Sequence, residues 1–144
     1  MMNKILLLLS IVSVLLLQAC SGSMQTRNIS PYFDGVLKSN DEAISGATII
    51  LSIKQDDPLC YHSTQETQTD EQGQFSLTPA KEQKSYIPFL NFEFDTWTIC
   101  AKYKKQRYTL YSNNRYNAGN ISASQKLDCD LTKNPINKLC TVSF

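Results

Sequence analysis

The sequence predicts an all-β domain behind a short N-terminal leader. Three observations carry that expectation. Apolar residues recur with period two in most segments, the period of a strand with one face turned to a core. Clusters of turn-forming residues separate these segments at short intervals. No long segment keeps a clean helical period. Several short strands with turn signals between them predict a β-sandwich or a barrel.

The leader comes first. Lys4 gives a positive start, Ile5–Leu17 is a 13-residue apolar run, and Gln18-Ala19 leads to Cys20. That run is too short to span a bilayer, which takes about 20 residues. A positive start, a short apolar run and a small residue before the cut are signal-peptide features. An ordinary secretory signal cut near Ala19 or Gly22, or a buried core helix, would account for the same residues. Leu17-Gln18-Ala19-Cys20 resembles the lipobox of bacterial lipoproteins. That resemblance implies removal of residues 1–19 and acyl chains, palmitate among them, on Cys20. Ser21 follows the cysteine where an Asp tends to retain such proteins at the inner membrane, so the resemblance implies the outer membrane. Residues 20–30 are polar and aperiodic and predict a flexible tether, leaving residues 31–144 as one domain. Ten residues reach at most about 33–36 Å, so the domain is expected close to the membrane.

Without the leader, Lys4 is the only charge lost, which leaves 13 basic against 13 acidic residues. A near-neutral domain argues against nucleic acid as a partner. Its modest length predicts a small core that covalent staples would help. Besides Cys20 there are four cysteines: Cys60, Cys100, Cys129 and Cys140. An even number in an exported domain suggests two disulfides, with three pairings possible. Sequence proximity favours Cys129–Cys140, closing a loop through Asn134-Pro135, and this leaves Cys60–Cys100. No cysteine pair has zinc spacing and His62 is the single histidine, so no metal or cofactor is expected.

The strands follow in order. Phe33-Asp34-Gly35-Val36-Leu37-Lys38 reads as a strand, and residues 39–46 are rich in turn formers. Ala47–Lys54 puts Ala47, Ile49, Leu51 and Ile53 on one face, the pattern of a half-buried strand. Gln65–Thr69 and Gln74–Leu77 read as a hairpin, with Asp70 starting its turn and Gly73 supplying a positive φ. In the stretch from Thr96, residues Trp97, Ile99, Ala101 and Tyr103 point one way; Thr98, Cys100 and Lys102 point the other. Lys104-Lys105 can turn the chain into Gln106–Tyr111. Residues 112–138 read as a long loop with one short strand near Ile121 or Leu127, and Leu139–Phe144 as a closing strand. The prolines at 58, 79, 88 and 135 fall between strands, where they break no ladder.

Phe33-x-Gly35-Val36, Gly46-Ala47-Thr48-Ile49 and Thr69-Asp70-Glu71-Gln72-Gly73-Gln74-Phe75, in this order, resemble the carboxypeptidase regulatory-like domains. That resemblance implies a single transthyretin-like (Ig-like) antiparallel β-sandwich. The remainder is similar to a narrower group of small bacterial proteins, the DUF6795-like family. It shares the Phe89/Phe92/Phe94 stretch, Tyr103-x-x-x-Arg107-Tyr108-x-Leu110, and Leu127-Asp128-Cys129-Asp130-Leu131 with the later Cys140. This second resemblance implies no activity.

Candidate chemistry is sparse. Asp70–Gly73 lacks the alternating acidic series of a calcium loop, and a turn explains it. Asp128 and Asp130, like Asp56-Asp57, read as solvated loop carboxylates. His62 has no G-x-S-x-G serine to serve, so the chain is not expected to be an enzyme. Lys102, Lys104, Lys105 and Arg107 interleave with Tyr108 and Tyr111. Basic residues among aromatics suit an acidic partner or a glycan, although they also protect a sheet edge. The apolar Tyr86–Phe94 stretch reads as core folded back or as a partner site. The expectation is a lipid-anchored periplasmic binding or scaffold module with a protein partner. An immunity or inhibitor lipoprotein and an envelope enzyme are the alternatives.

Overall fold

The computed structural model describes residues 24–85, 94–116, 121–133 and 139–143. The leader, Cys20, residues 86–93 and the Asn134-Pro135 part of the closing loop lie outside the described residues. Eleven strands follow one another: β1 (Met24–Asn28), β2 (Tyr32–Ser39), β3 (Glu42–Ala43), β4 (Thr48–Ser52), β5 (Gln65–Gln68), β6 (Gln74–Leu77), β7 (Lys81–Ser85), β8 (Phe94–Tyr103), β9 (Gln106–Tyr116), β10 (Ser124–Asp130) and β11 (Cys140–Ser143). The described residues contain no helix.

The strands form two facing sheets and a ribbon. The first sheet runs β11-β10-β2, with β6 and β3 both on the far side of β2. The second runs β5-β4-β8-β9, and β1 pairs with β7. The period-two residues meet between the sheets. Phe33 and Leu37 of β2, Phe75 and Leu77 of β6, and Leu127 of β10 pack against Ile49 and Leu51 of β4 and Trp97 and Ile99 of β8. Gly35 lies on this inner face because the ring of Phe75 sits where its side chain would be. A Cβ there would stand 2.7 Å from Phe75 Cε1 and 2.9 Å from the Leu127 carbonyl oxygen.

Five sequence expectations are corrected. Residues 65–77 are not a hairpin ladder: β5 pairs with β4 and β6 with β2, so the turn carries the chain from one sheet to the other. Phe75 and Leu77 face the core from the first sheet while polar β5 edges the second, a division that local pattern cannot reveal. Residues 24–28, expected in the tether, form β1, because pairing to β7 satisfies their backbone. Arg27 fixes this ribbon, reaching Asp95 Oδ1 at 3.0 Å and Glu82 Oε2 at 3.2 Å. The expected loop of residues 112–138 holds more strand than the one short stretch near Leu127: among the described residues β9 runs on to Tyr116, and β10, which includes Leu127, is seven residues long. β10 also pairs with β2 in parallel, from Ser124↔Tyr32 to Asp130↔Lys38, the one exception to an antiparallel sandwich among the described strands. Finally, β4 is buried on both faces, since Ile50 and Ser52 are as enclosed as Ile49 and Leu51. The loop of residues 53–64 covers its outer side.

Both disulfides are present. Cys129 and Cys140 face each other across β10 and β11. Cys60 and Cys100 tie the covering loop to β8, and with Ile50 they form a small second apolar cluster.

Candidate functional site

The expected basic hairpin is β8–β9. The strands pair from Phe94↔Tyr116 to Tyr103↔Gln106, with a register shift at Ile99/Cys100 that leaves Leu110 as the extra residue of a bulge. Such a bulge bends the strand and increases its twist. Lys104 and Lys105 form the two-residue turn, with φ of 48° and 67°. A turn with both central residues left-handed matches the twist of a hairpin, but it favours Asn-Gly. The other two-residue turn, between β2 and β3, uses Asn40-Asp41 in the same region.

The structure divides the candidate contact residues into two groups. Lys102, Lys104 and Lys105 are exposed and form no ion pair among the described residues. Lys104 Nζ lies 5.1 Å from the centroid of the Tyr103 ring, a cation–π contact. Arg107 is engaged elsewhere. Its Nη1 donates to the carbonyls of Leu59 (3.3 Å) and Cys60 (2.9 Å), and its guanidinium lies over Tyr61. Tyr108 and Tyr111 are half-buried against the core. Burial pushes the Tyr111 phenol above its ordinary pKa. The hairpin thus presents lysines to solvent and turns Arg107 to the covering loop.

That loop is held from several sides. The Cys60–Cys100 bond and Arg107 are joined by Thr109 Oγ1, which donates to the Pro58 carbonyl. Asp57 is its internal knot, and here the expectation of a solvated carboxylate is corrected: the side chain is 5% exposed. It accepts hydrogen bonds from Ser52 Oγ (2.9 Å) and from the backbone N–H groups of Tyr61 and His62 (2.8 Å each). Burial alone would raise its pKa; the donors from His62, Tyr61 and Ser52 together outweigh it and hold the carboxyl at about 2. His62 is drawn into the same knot. Its Nδ1 lies 3.5 Å from Asp57 and its Nε2 lies 2.9 Å from Lys54 Nζ. The imidazole thus stands between the Asp57 carboxylate and the Lys54 side chain.

The remaining candidates have local partners. Asp70 Oδ1 accepts the N–H groups of Gln72 (2.9 Å) and Gln74 (2.7 Å), and Gly73 takes φ 73° with a prospective Cβ 2.5 Å from the Leu37 carbonyl oxygen. Asp128 pairs with Lys38 at 2.8 Å, which raises the lysine's pKa. Asp130 caps Thr132, and those hydrogen bonds lower its own. No group of three or more metal-ligating side chains occurs among the described residues. Among the described residues two concavities stand out. One, of about 670 Å³, is an open dish on the outer face of the first sheet, where Asp34, Asp70 and Lys126 mix both signs of charge. The other, of about 340 Å³, follows β9 from Arg107 to Ser112 and includes Leu139. Neither Leu110 nor Leu139 carries a functional signal in the sequence; the bulge and the neighbouring sheet edge bring them there.

Fold and stapling define a small, doubly disulfide-bonded β-sandwich domain. The chain belongs to the DUF6795 family, a domain of unknown function whose model matches residues 33–134. That match runs from β2 through β10 and so takes in the whole second sheet. No curated protein matches the chain.

Proposed function

We propose that this protein is an outer-membrane lipoprotein, anchored through Cys20, that acts as a non-catalytic binding module in the periplasm. The lysine end of the β8–β9 hairpin is its contact face for a protein partner. One observation carries the reading. Lys104 and Lys105 occupy turn positions that cost backbone energy for any side chain larger than glycine, are exposed, and have no ion-pair partner among the described residues. Residues kept in unfavourable backbone conformations point to a role outside folding.

Supporting observations are independent of the hairpin. Two disulfides suit an exported domain in a non-reducing compartment. The short tether also fits: only residues 21–23 separate Cys20 from β1, a reach of about 13 Å. The domain would ride directly on the lipid surface. Kinship with the transthyretin-like sandwich of the carboxypeptidase regulatory-like domains is part of the proposal. Gly46-Ala47 leads into β4, and Thr69–Phe75 links the two sheets.

The test is crosslinking capture from intact envelopes, comparing wild type with Lys102→Gln/Lys104→Gln/Lys105→Gln. Arg107 stays intact because it holds the covering loop. A single partner lost in the variant is the expected result, and its identity separates a scaffold from an inhibitor of a toxic enzyme. A partner retained by the variant refutes the assigned face. For the anchor, Cys20→Ala should move the protein from the membrane to the soluble fraction.

A further inference from the structure

β9 ends the second sheet, and among the described residues no strand pairs with its outer edge. It is 11 residues long and contains no proline. Short length and proline, two common ways to blunt an edge, are absent from β9, which carries the Leu110 bulge and the basic residues at its start. The groove of about 340 Å³ is lined by six consecutive β9 residues, Arg107–Ser112, together with Leu139. Consecutive strand residues point to opposite faces. A concavity shared by all of them therefore lies along the rim of the strand, where the backbone N–H and C=O groups are. Leu139 immediately precedes β11, the end strand of the first sheet. The groove thus runs along the open side of the sandwich, between the edges of its two sheets. At about 3.4 Å per residue it extends about 20 Å, the length of an ordinary strand.

Charge selects the occupant. Lys102 pairs in register with Arg107, and Lys104-Lys105 immediately precede β9, so the lysines gather where the groove begins. They lack carboxylate partners among the described residues. A second copy of β9 would not supply any, since Gln106–Tyr116 contains no Asp or Glu. We infer that the outer edge of β9 takes an extended, acidic segment of a partner protein as an added strand. The pairing runs antiparallel, as throughout this sheet. The carboxylates then fall at the C-terminal end of the segment, beside the lysines. Main-chain hydrogen bonds supply the affinity and the charges fix the register. This deepens the contact-face reading of the hairpin and rests on it.

The probe is a labelled peptide, Ser-Val-Thr-Ile-Thr-Val-Glu-Glu, titrated into the full chain in detergent micelles. Fluorescence anisotropy reads binding, and hydrogen–deuterium exchange reads protection of β9. Two further peptides carry backbone N-methyl groups, one on the odd and one on the even residues. In an antiparallel pair only alternate residues bond to a given neighbour. One methylated peptide should therefore bind more than tenfold more weakly while the other keeps its affinity. Replacing both glutamates with lysine, or using Lys102→Gln/Lys104→Gln/Lys105→Gln, should also weaken binding more than tenfold. No binding of the parent peptide, equal behaviour of the two methylated peptides, or protection away from residues 106–112 overturns strand addition. Equal binding of the lysine peptide overturns the acidic occupant. A concentration-dependent dimer that protects the same amides without peptide assigns the edge to a second copy instead. Envelope capture that still depends on the lysines while strand addition fails would refute only this inference.

Discussion

The Lys104-Lys105 turn makes a quantitative prediction. Replacing it by Lys104→Asn/Lys105→Gly should stabilise the protein while removing its proposed contact. Both residues sit in the left-handed region, which costs a residue with a side chain about 1–2 kcal/mol. Glycine relieves that cost at position 105 but gives back about 0.5–1 kcal/mol through the greater freedom of the unfolded chain. Asparagine relieves part of it at position 104, because its short side chain tolerates this conformation. Loss of the exposed contact between Lys104 and Tyr103 subtracts about 0.5 kcal/mol. The net gain is about 1 kcal/mol. Urea unfolding with both disulfides closed should then show a midpoint raised by about 0.5 M at a slope of about 2 kcal/mol/M. The reciprocal swap, Asn40→Lys/Asp41→Lys in the β2–β3 turn, should lower it by a similar amount. An unchanged or lowered midpoint for the first variant would refute the argument that the lysines are held against backbone preference. Stability gained together with partner capture lost is the expected signature of a site that trades one for the other.

Three more predictions rest on other parts of the structure. Gly35→Ala should destabilise by about 1–3 kcal/mol in the same assay, because Phe75 and the β10 backbone already fill the space; a neutral result would mean that Phe75 moves aside at little cost. The cysteine pairs lie 11 and 40 apart in sequence, so chain entropy gives about 2.8 kcal/mol for Cys129–Cys140 and about 3.9 kcal/mol for Cys60–Cys100. Paired Ser substitutions should follow that order, and the reverse order would contradict the entropic account. Asp57 ionises at about 2 in the folded state against 3.8 ordinarily. Its contribution is therefore present above pH 4 and lost as the pH falls toward 2. Asp57→Asn should flatten the acid limb of the stability profile between those values, and an identical limb in wild type and variant would show that the Asp57 knot is not what acid breaks.

Much of the sandwich is legible in the sequence because alternation reports burial directly. Ala47, Ile49, Leu51 and Ile53 on one strand, and Trp97, Ile99 and Ala101 on another, face the core as their spacing requires. The disulfide pairing favoured by proximity is also the one formed. The errors have a common cause. Thr69–Phe75 has the local chemistry of a hairpin turn, and the turn does form, with Gly73 N–H bonding to the Asp70 carbonyl. Which strands flank it in space depends on partners tens of residues away. The pattern does not show β1, or the full length and parallel pairing of the strand expected near Leu127, for a similar reason: both depend on the ladders to β7 and β2.

At the candidate site the lysines were visible as a cluster, but their availability was not. Arg107 belongs to the same run as Lys102, Lys104 and Lys105, yet it is turned to the carbonyls of Leu59 and Cys60, from a loop more than forty residues earlier in the chain. Asp57 looked like a surface carboxylate and is buried because the same loop folds over β4.

The sequence by itself determined the all-β class, the residues that face the core, the two staples and the left-handed glycine at position 73. Each follows from interactions within a strand or a turn, or from the number and spacing of the cysteines. The tertiary structure decided which sheet each strand joins, that β2 and β10 run in parallel, which basic residues remain open to solvent and, among the described strands, which edges are left unpaired. These depend on long-range backbone pairing. Every N–H and C=O in the chain offers nearly the same hydrogen bond, so the choice of partner falls to the packing of the whole domain.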